Sequence, residues 1–267
     1  MDHADRARAL MPALRAAVRE AGALALAAFR AGAQTSAEVW FKEGNSPVTA
    51  ADLAVDALLK ERLGALLPEA GWLSEESIDA PDRLARPLVW IVDPIDGTRA
   101  FAAGNPDWSV SVGLVAEGRP IAGIVDAPAH GHLYEALARG GARRDGAPIR
   151  VSDRPGLAGA RVAGPKPLVD RIDRVIGATM LRLPKVSSLA LRLARVADGT
   201  IDVGLVGGQA HDWDLAGADL ILHEAGGALT DAGGGAPAYN RPEPVHRELV
   251  AASTRLHGLA RAALAGS

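Results

Sequence analysis

The segment Trp90-Ile91-Val92-Asp93-Pro94-Ile95-Asp96-Gly97-Thr98 constrains this chain more than any other. Leu88 to Val92 is an unbroken apolar run, the pattern of a strand covered on both faces. Pro94 lacks the N–H that a central strand needs, so the strand is expected to stop before it. Asp93 is thereby delivered to a strand end. Asp96-Gly97-Thr98 reads as a turn opening a short helix, whose first N–H groups have no intrahelical acceptor and so face an anion. Two carboxylates, a hydroxyl and an anion-sized turn in one stretch point to metal and phosphate chemistry. The competing reading is a structural turn in which aspartate only caps a helix.

The chain has 267 residues and no cysteine, so it can bury a full core as one large domain or two moderate ones without disulfides. Thiolate nucleophiles and cysteine zinc sites are excluded, leaving carboxylates, histidines and hydroxyls. A formal charge of −3 disfavours a general nucleic-acid or anionic-membrane surface and favours small-molecule work. The first apolar stretch, Ala21 to Phe29, lies too far in and is too short for a signal core or a spanning helix, so a cytoplasmic protein is expected.

Leu10, Leu14, Val18, Leu24 and Phe29 space out a long amphipathic helix over Ala4–Ala31, with Gly32 as its stop. A second helix is expected from Ala50 to Leu67, with Thr49 as N-cap, Asp52 in its first turn and Pro68 at its end. Short β-like runs follow at Trp72-Leu73, Leu88–Val92, Trp108–Ala116, Pro120–Asp126 and His132–Ala136, which reads as an antiparallel sheet. Beyond Arg150, strands at Arg161–Ala163, Met180–Leu183, Ile201–Leu205 and Glu248–Ala252 alternate with helical segments. The expected fold is therefore a layered α+β and α/β sandwich. Its first half, 1–153, carries most of the acidic candidates and its second, 154–267, carries Asp214 and substrate-side residues.

Four acidic pieces sit at strand ends or helix starts: Thr49-Ala50-Ala51-Asp52, Ser74-Glu75-Glu76-Ser77, Asp93 with Asp96 and Thr98, and His211-Asp212-Trp213-Asp214. Each alone reads equally as a helix cap or a solvated acidic loop. Together they offer the oxygen ligands that Mg²⁺ demands, beside a phosphate cradle at Gly97 and Thr98. Such ions bridge phosphate oxygens and activate water. His130 and His132 alternate as on a strand but have no third ligand in sight, so a solvated hairpin edge is the better reading.

In this order, the motifs resemble those of the inositol monophosphatase superfamily of Mg²⁺-dependent, lithium-sensitive phosphomonoesterases. The match runs from the Thr49-to-Asp52 segment through Glu75-Glu76-Ser77 and Asp93-Pro94-Ile95-Asp96-Gly97-Thr98 to Trp213-Asp214-Leu215-Ala216-Gly217. The resemblance implies that Glu75, Asp93 and the Ile95 carbonyl bind an activating metal. Asp93, Asp96 and Asp214 would bind a second, with two or three ions per site. It further implies that Thr98, paired with Asp52, and Glu75 orient and deprotonate the attacking water. The amides of Gly97 and Thr98 would hold phosphate, and Glu76 would stand behind the ligands. A homodimer is the family's usual state, with no nucleic-acid polymer or membrane as partner.

Inositol-specific members carry a glutamate seven residues before the final aspartate, where this chain has Gly207. The run Asn45-Ser46-Pro47-Val48-Thr49-Ala50-Ala51-Asp52 with Arg99 is similar to the 3′(2′),5′-bisphosphate nucleotidase branch. A second phosphate wants a cation, and Lys42, Arg99 or Lys185 can provide it. Ser188 and His211 complete the substrate-side candidates, Ser188 doubling as a helix cap. The expected reaction is hydrolysis of 3′-phosphoadenosine 5′-phosphate to AMP and phosphate. Inositol-1-phosphate and histidinol-phosphate phosphatases are the alternatives within the superfamily. A non-catalytic phosphometabolite-binding protein is the alternative from another class. A dinucleotide oxidoreductase is set aside for want of a Gly-x-Gly-x-x-Gly turn.

Overall fold

The computed structural model describes residues 3–42 and 47–266. Asn45 and Ser46, part of the nucleotidase-like run, lie outside the described residues. Helix α1 (His3–Ala28) is followed by a small ladder of β1 (Val39–Phe41) and β2 (Pro47–Thr49), then helix α2 (Ala50–Leu66). Strands β3 (Gly71–Ser74) and β4 (Leu88–Asp96) lead to the short helix α3 (Thr98–Ala102). Next come β5 (Ser109–Ala116), β6 (Arg119–Ala127), β7 (His132–Leu137), β8 (Gly141–Arg144) and β9 (Ala147–Pro148). The second half runs β10 (Arg161–Ala163), α4 (Lys166–Ile176), β11 (Leu181–Arg182), α5 (Leu189–Ala197), β12 (Val203–Val206) and β13 (Ala210–His211). It closes with α6 (Asp212–Glu224), β14 (Gly227–Asp231), β15 (Val245–His246), β16 (Leu249–Ser253) and α7 (Thr254–Ala265).

The strands β3 to β9 form one sheet in chain order, and a five-stranded sheet has the order β11-β10-β12-β16-β14. Helices α1 and α2 cover one face of the large sheet, α5 and α6 lie between the two sheets, and α7, with α4 beside it, packs on the far side of the smaller one. The layers therefore alternate helix, sheet, helix, sheet, helix. One apolar cluster crosses between the halves, joining Leu73, Ile91 and Val125 to Leu191, Leu215 and Leu249. The segment between β9 and β10, where the two halves were expected to divide, is irregular. No helix among the described residues is long and apolar enough to cross a membrane.

Three expectations need correction. The strand does not stop at Pro94 but continues to Asp96, because a register shift between Asp93↔Ser111 and Asp96↔Ser109 inserts one extra residue. That is a β-bulge, a place where a missing N–H costs no ladder bond. The large sheet is not wholly antiparallel, since β3 pairs parallel with β4. Along α1 the buried stripe is Ala7, Met11, Leu14, Val18, Ala21 and Ala25, with Leu24 turned outward, because alanine-sized residues let the helix lie close to the sheet. Strand β14, which follows α6 directly at Gly227, is an element the sequence reading does not contain.

Helix α6 approaches the large sheet backbone to backbone. A methyl group on Gly123 of β6 would stand 2.3 Å from the Gly217 carbonyl oxygen, and one on Gly217 would stand 2.7 Å from that of Val112. Neither partner is a side chain that can rotate away. Gly123→Ala is therefore expected to destabilise the fold by about 1–3 kcal/mol, the usual cost of overpacking. Gly64→Ala on α2, where a methyl group meets nothing within 4 Å, is expected to be neutral or stabilising. Urea unfolding midpoints check the pair; equal midpoints would refute the close contact.

Candidate active site

The bulge sets the geometry. Asp93, Ile95 and Asp96 leave β4 together, and Gly97 follows in the left-handed region at φ 93°, where glycine carries no penalty. A side chain there would also press against Asp107 O and Ser188 N, each 3.1 Å from a Cβ. Thr98 opens α3 with its Oγ1 3.0 Å from both Asp52 Oδ1 and Ile95 O, so its single proton is shared between two acceptors.

Asp52 is held from the other side by a capping box at the start of α2. Thr49 donates to Asp52 Oδ2 from its backbone N–H at 2.8 Å and from Oγ1 at 2.6 Å. One turn further on, Asp56 accepts from the hydroxyls of Ser74 and Ser77. Those two serines bracket Glu75 and Glu76, so α2 fixes both carboxylates through the turn that carries them. Lys42 Nζ lies 2.6 Å from Glu76 Oε2 and 3.7 Å from Glu75 Oε1.

The second half of the chain closes the site. Ser188 Oγ and the Ala190 N–H donate to Asp96 Oδ2 at 2.7 Å and 2.6 Å, tying the start of α5 to the end of β4. At the start of α6 the His211 N–H donates to Asp214 Oδ2 at 2.7 Å. One carboxylate oxygen from each of Asp93, Asp96 and Asp214 comes within 4.8 Å of the others. These three residues, with Pro47, Glu75, Gly97, Thr98, Arg99, Lys185 and Ser187, line a cavity of about 190 Å³.

Burial and mutual repulsion shape the electrostatics. Desolvation pushes the Glu75 carboxyl up to about 7, opposed by Lys42 and reinforced by Glu76, Asp52 and Asp96. Asp93 is raised well above the ordinary carboxylate range by burial and then by Glu75, Asp96 and Asp214. Asp214 is raised by burial and Asp96, and Asp96 by burial against the pull of Ser188. Both Asp93 oxygens are buried without a hydrogen-bond partner. A buried carboxylate left this way, among three more, fits a hard divalent cation with oxygen ligands.

Of the residues singled out from sequence, Glu75, Asp93, Asp96, Gly97, Thr98, Arg99, Lys185 and Asp214 all line the cavity. Ser188 is fully buried, its Oγ committed to Asp96 and to the Leu191 N–H that it caps, so it faces away from any substrate. Lys42 is engaged by Glu76. Gly207 follows β12, where an added methyl group would meet Pro165 Cγ at 3.5 Å, and is not on the cavity wall. The His211 ring stacks on Trp213 with centroids 4.5 Å apart, its Nδ1 4.0 Å from Asp214. His130 sits in a single turn beside Asp107 and Arg195, and His132 pairs with Asp145, so the two histidines do not converge. Two contributors escaped the sequence reading. Asp56 has the i+4 spacing from Asp52 that puts both on one helix face, a signal that was available. Arg192 donates to the carbonyls of Leu205 and Val186 and places its charge behind Asp96; nothing in its local sequence marks it.

Comparison with known proteins bears on the family and the fold. The model of the inositol monophosphatase family matches residues 7–266. A 3′(2′),5′-bisphosphate nucleotidase, CysQ, of Aggregatibacter actinomycetemcomitans is 33% identical over 218 residues, covering 79% of this chain and 81% of that protein. An inositol-1-monophosphatase of Rhizobium meliloti is 35% identical over 202 residues, 71% of this chain and 74% of that one. Among solved structures, the extragenic suppressor protein SuhB of Bartonella henselae superposes with a TM-score of 0.83 at 27% identity, covering 96% of this chain and 98% of its own. A family match along nearly the whole chain, and relatives identical to it at 33% and 35% of the aligned residues, leave one assignment: this chain belongs to the inositol monophosphatase family of metal-dependent phosphoric monoester hydrolases.

Proposed function

We propose that the chain is a Mg²⁺-dependent phosphatase whose preferred substrate is a 3′(2′),5′-bisphosphate nucleotide, hydrolysed to AMP and phosphate when the substrate is 3′-phosphoadenosine 5′-phosphate. The observation that carries the metal reading is Asp93, buried and unpartnered at the centre of Glu75, Asp96 and Asp214. Glu75, Asp93, the Ile95 carbonyl, Asp96 and Asp214 would hold two or three ions. Bound there, Mg²⁺ supplies Lewis acidity, offsetting charge on the phosphate and making water acidic enough to attack.

The protein's own groups divide the remaining work. Thr98 Oγ1 shares its proton between Asp52 and the Ile95 carbonyl, so its oxygen, on the cavity wall, is left as an acceptor to orient water. Asp52 cannot turn away, because Thr49 grips its other oxygen. Glu75, on the wall of the same cavity, is assigned the proton that water gives up. Gly97 and Thr98 precede the first intrahelical bonds of α3, so their N–H groups are assigned to the phosphate.

The substrate preference is supported by two features: the relative named as a bisphosphate nucleotidase, and two cationic residues, Arg99 and Lys185, on the cavity wall. Lys185 is exposed and suits a second phosphate. The resemblance also carries the proposals of a cytoplasmic homodimer and of lithium inhibition, which sizing chromatography and a Li⁺ titration check.

Asp93→Asn is expected to lower kcat/KM by at least about 10³-fold while leaving the fold intact, as circular dichroism reads, and EDTA is expected to abolish phosphate release by the wild type. Turnover without a divalent ion would refute the mechanism. Thr98→Ala is expected to lower kcat by roughly 10²–10³-fold with a small change in KM, since it removes an interaction that serves the attacking water. A phosphate-release panel at fixed Mg²⁺ should rank adenosine 3′,5′-bisphosphate above inositol 1-phosphate, histidinol phosphate and fructose 1,6-bisphosphate. First place for inositol 1-phosphate would overturn the nucleotide reading. Tight binding of the bisphosphate with no hydrolysis in any divalent ion would favour a phosphometabolite-binding protein instead.

A further inference from the structure

Arg83 is 1% exposed, the only arginine among the described residues to be buried outright. It stands in the short turn Pro81–Ala85 between β3 and β4, and it does not line the cavity. A methyl group on Gly71 of β3 would stand 2.9 Å from Arg83 Cβ and 3.0 Å from its Cα, so the turn lies against the root of the strand that leads to Glu75. A buried guanidinium is costly unless its donors are met. Here Nε and Nη2 donate to Asp79 Oδ1 and Oδ2 at 2.6 Å and 2.8 Å. Nη1 donates to Asn240 Oδ1 at 2.7 Å, and Nη2 also to the Arg241 carbonyl at 3.1 Å.

The two ends of this fork lead to opposite walls of the cavity. Asp79 closes the stretch that begins at Glu75, and Ser77 between them is held by Asp56. Asn240, in the left-handed region at φ 57°, extends the fork through its backbone, donating its N–H to Asp212 Oδ2 at 2.7 Å. Asp212 is the first residue of α6 and is fully buried. Its other oxygen accepts from His246 Nε2 at 2.7 Å, and its N–H donates to the Pro244 carbonyl at 3.0 Å. Asp214 follows two residues later. Among the described residues it receives one hydrogen bond, from the His211 N–H, so it stands where the first turn of α6 puts it. The glycine contact seats the middle of that helix, whereas Asp212 fixes its opening turn, the part that lacks intrahelical partners. A buried charged network is weak evidence for stability as such, and neither Asn240 nor Asp212 lines the cavity.

We propose that Arg83 is a positioning residue for the metal ligands. Through Asp79 on one side, and Asn240 and Asp212 on the other, it sets where Asp214 stands relative to Glu75. The proposal rests on the metal reading given above and assigns Arg83 no contact with ion or substrate.

Mn²⁺ binding, followed by the paramagnetic resonance of the free ion, reads the spacing of oxygen ligands without turnover. Arg83→Met is expected to raise the Mn²⁺ dissociation constant by about 10-fold or more at a temperature where circular dichroism shows the native fold, the range found when groups behind metal ligands are removed. Asn240→Gly keeps the left-handed backbone and the N–H that Asp212 accepts while deleting the acceptor of Arg83. It is expected to weaken binding in the same direction by a smaller factor, and it decides the matter where Arg83→Met does not fold. Arg161→Met is the control, since it removes a comparable set of bonds, to buried Asp202 and to the Gly199 carbonyl. That variant is expected to melt at a lower temperature with Mn²⁺ affinity unchanged. Wild-type affinity in folded Arg83→Met, or in Asn240→Gly where Arg83→Met is unfolded, would overturn the assignment, as would an equal loss in Arg161→Met. Failure of the metal reading shows separately, as no Mn²⁺ bound by the wild type.

Discussion

The site depends on a single extra residue in β4. On a regular strand, side chains three positions apart point to opposite faces, and Asp93 and Asp96 could not share a cavity. The bulge between them restores convergence and brings their oxygens within 4.8 Å of one another. Proline suits the inserted stretch because it has no N–H to strand, and the Ile95 carbonyl is met by Thr98. The bulge thus supplies two carboxylates, a carbonyl and the entry into the Gly97 turn from one local irregularity.

Concentrating carboxylates in a buried place opposes folding, and the scaffold answers each of them differently. Thr49 grips Asp52, Ser188 and the Ala190 amide grip Asp96, the His211 amide grips Asp214, and Lys42 grips Glu76. Each bond orients a carboxylate as well as stabilising its charge, worth about 1.5–3 kcal/mol where one partner is ionised. Asp93 receives none on either oxygen, although it is fully buried and faces Glu75, Asp96, Asp214 and Asp52, all of like sign. The pattern separates groups that the protein orients from one whose partner must come from solution.

Much of this was legible in the amino-acid order, for physical reasons that differ by element. The apolar run before Asp93, the Thr49 cap and the acidic opening of α6 are local signals, and the structure has a strand and two helices at those places. The bulge was not legible, because proline forbids a ladder bond without saying whether the strand ends or merely skips a residue. The face of α1 was misjudged since alanine and leucine compete for a close helix–sheet contact and only tertiary distance decides between them. Ser188 read correctly as a cap; that the same hydroxyl reaches Asp96, ninety-two positions earlier, is a fact of topology alone. Arg192 belongs to the same class.

The glycine contact between α6 and the large sheet has a consequence for how such a scaffold diversifies. A helix seated backbone to backbone through Gly123 and Gly217 has no side chains at the contact whose exchange would tilt it by small steps. Asp214 inherits that rigidity, standing one turn before Gly217 on the same helix. Change in what the cavity accepts is thereby channelled away from α6 and into lining residues that lie outside it, such as Pro47, Arg99 and Lys185. One immobile helix in this way allows a single hydrolytic centre to persist unchanged while the molecules brought to it vary.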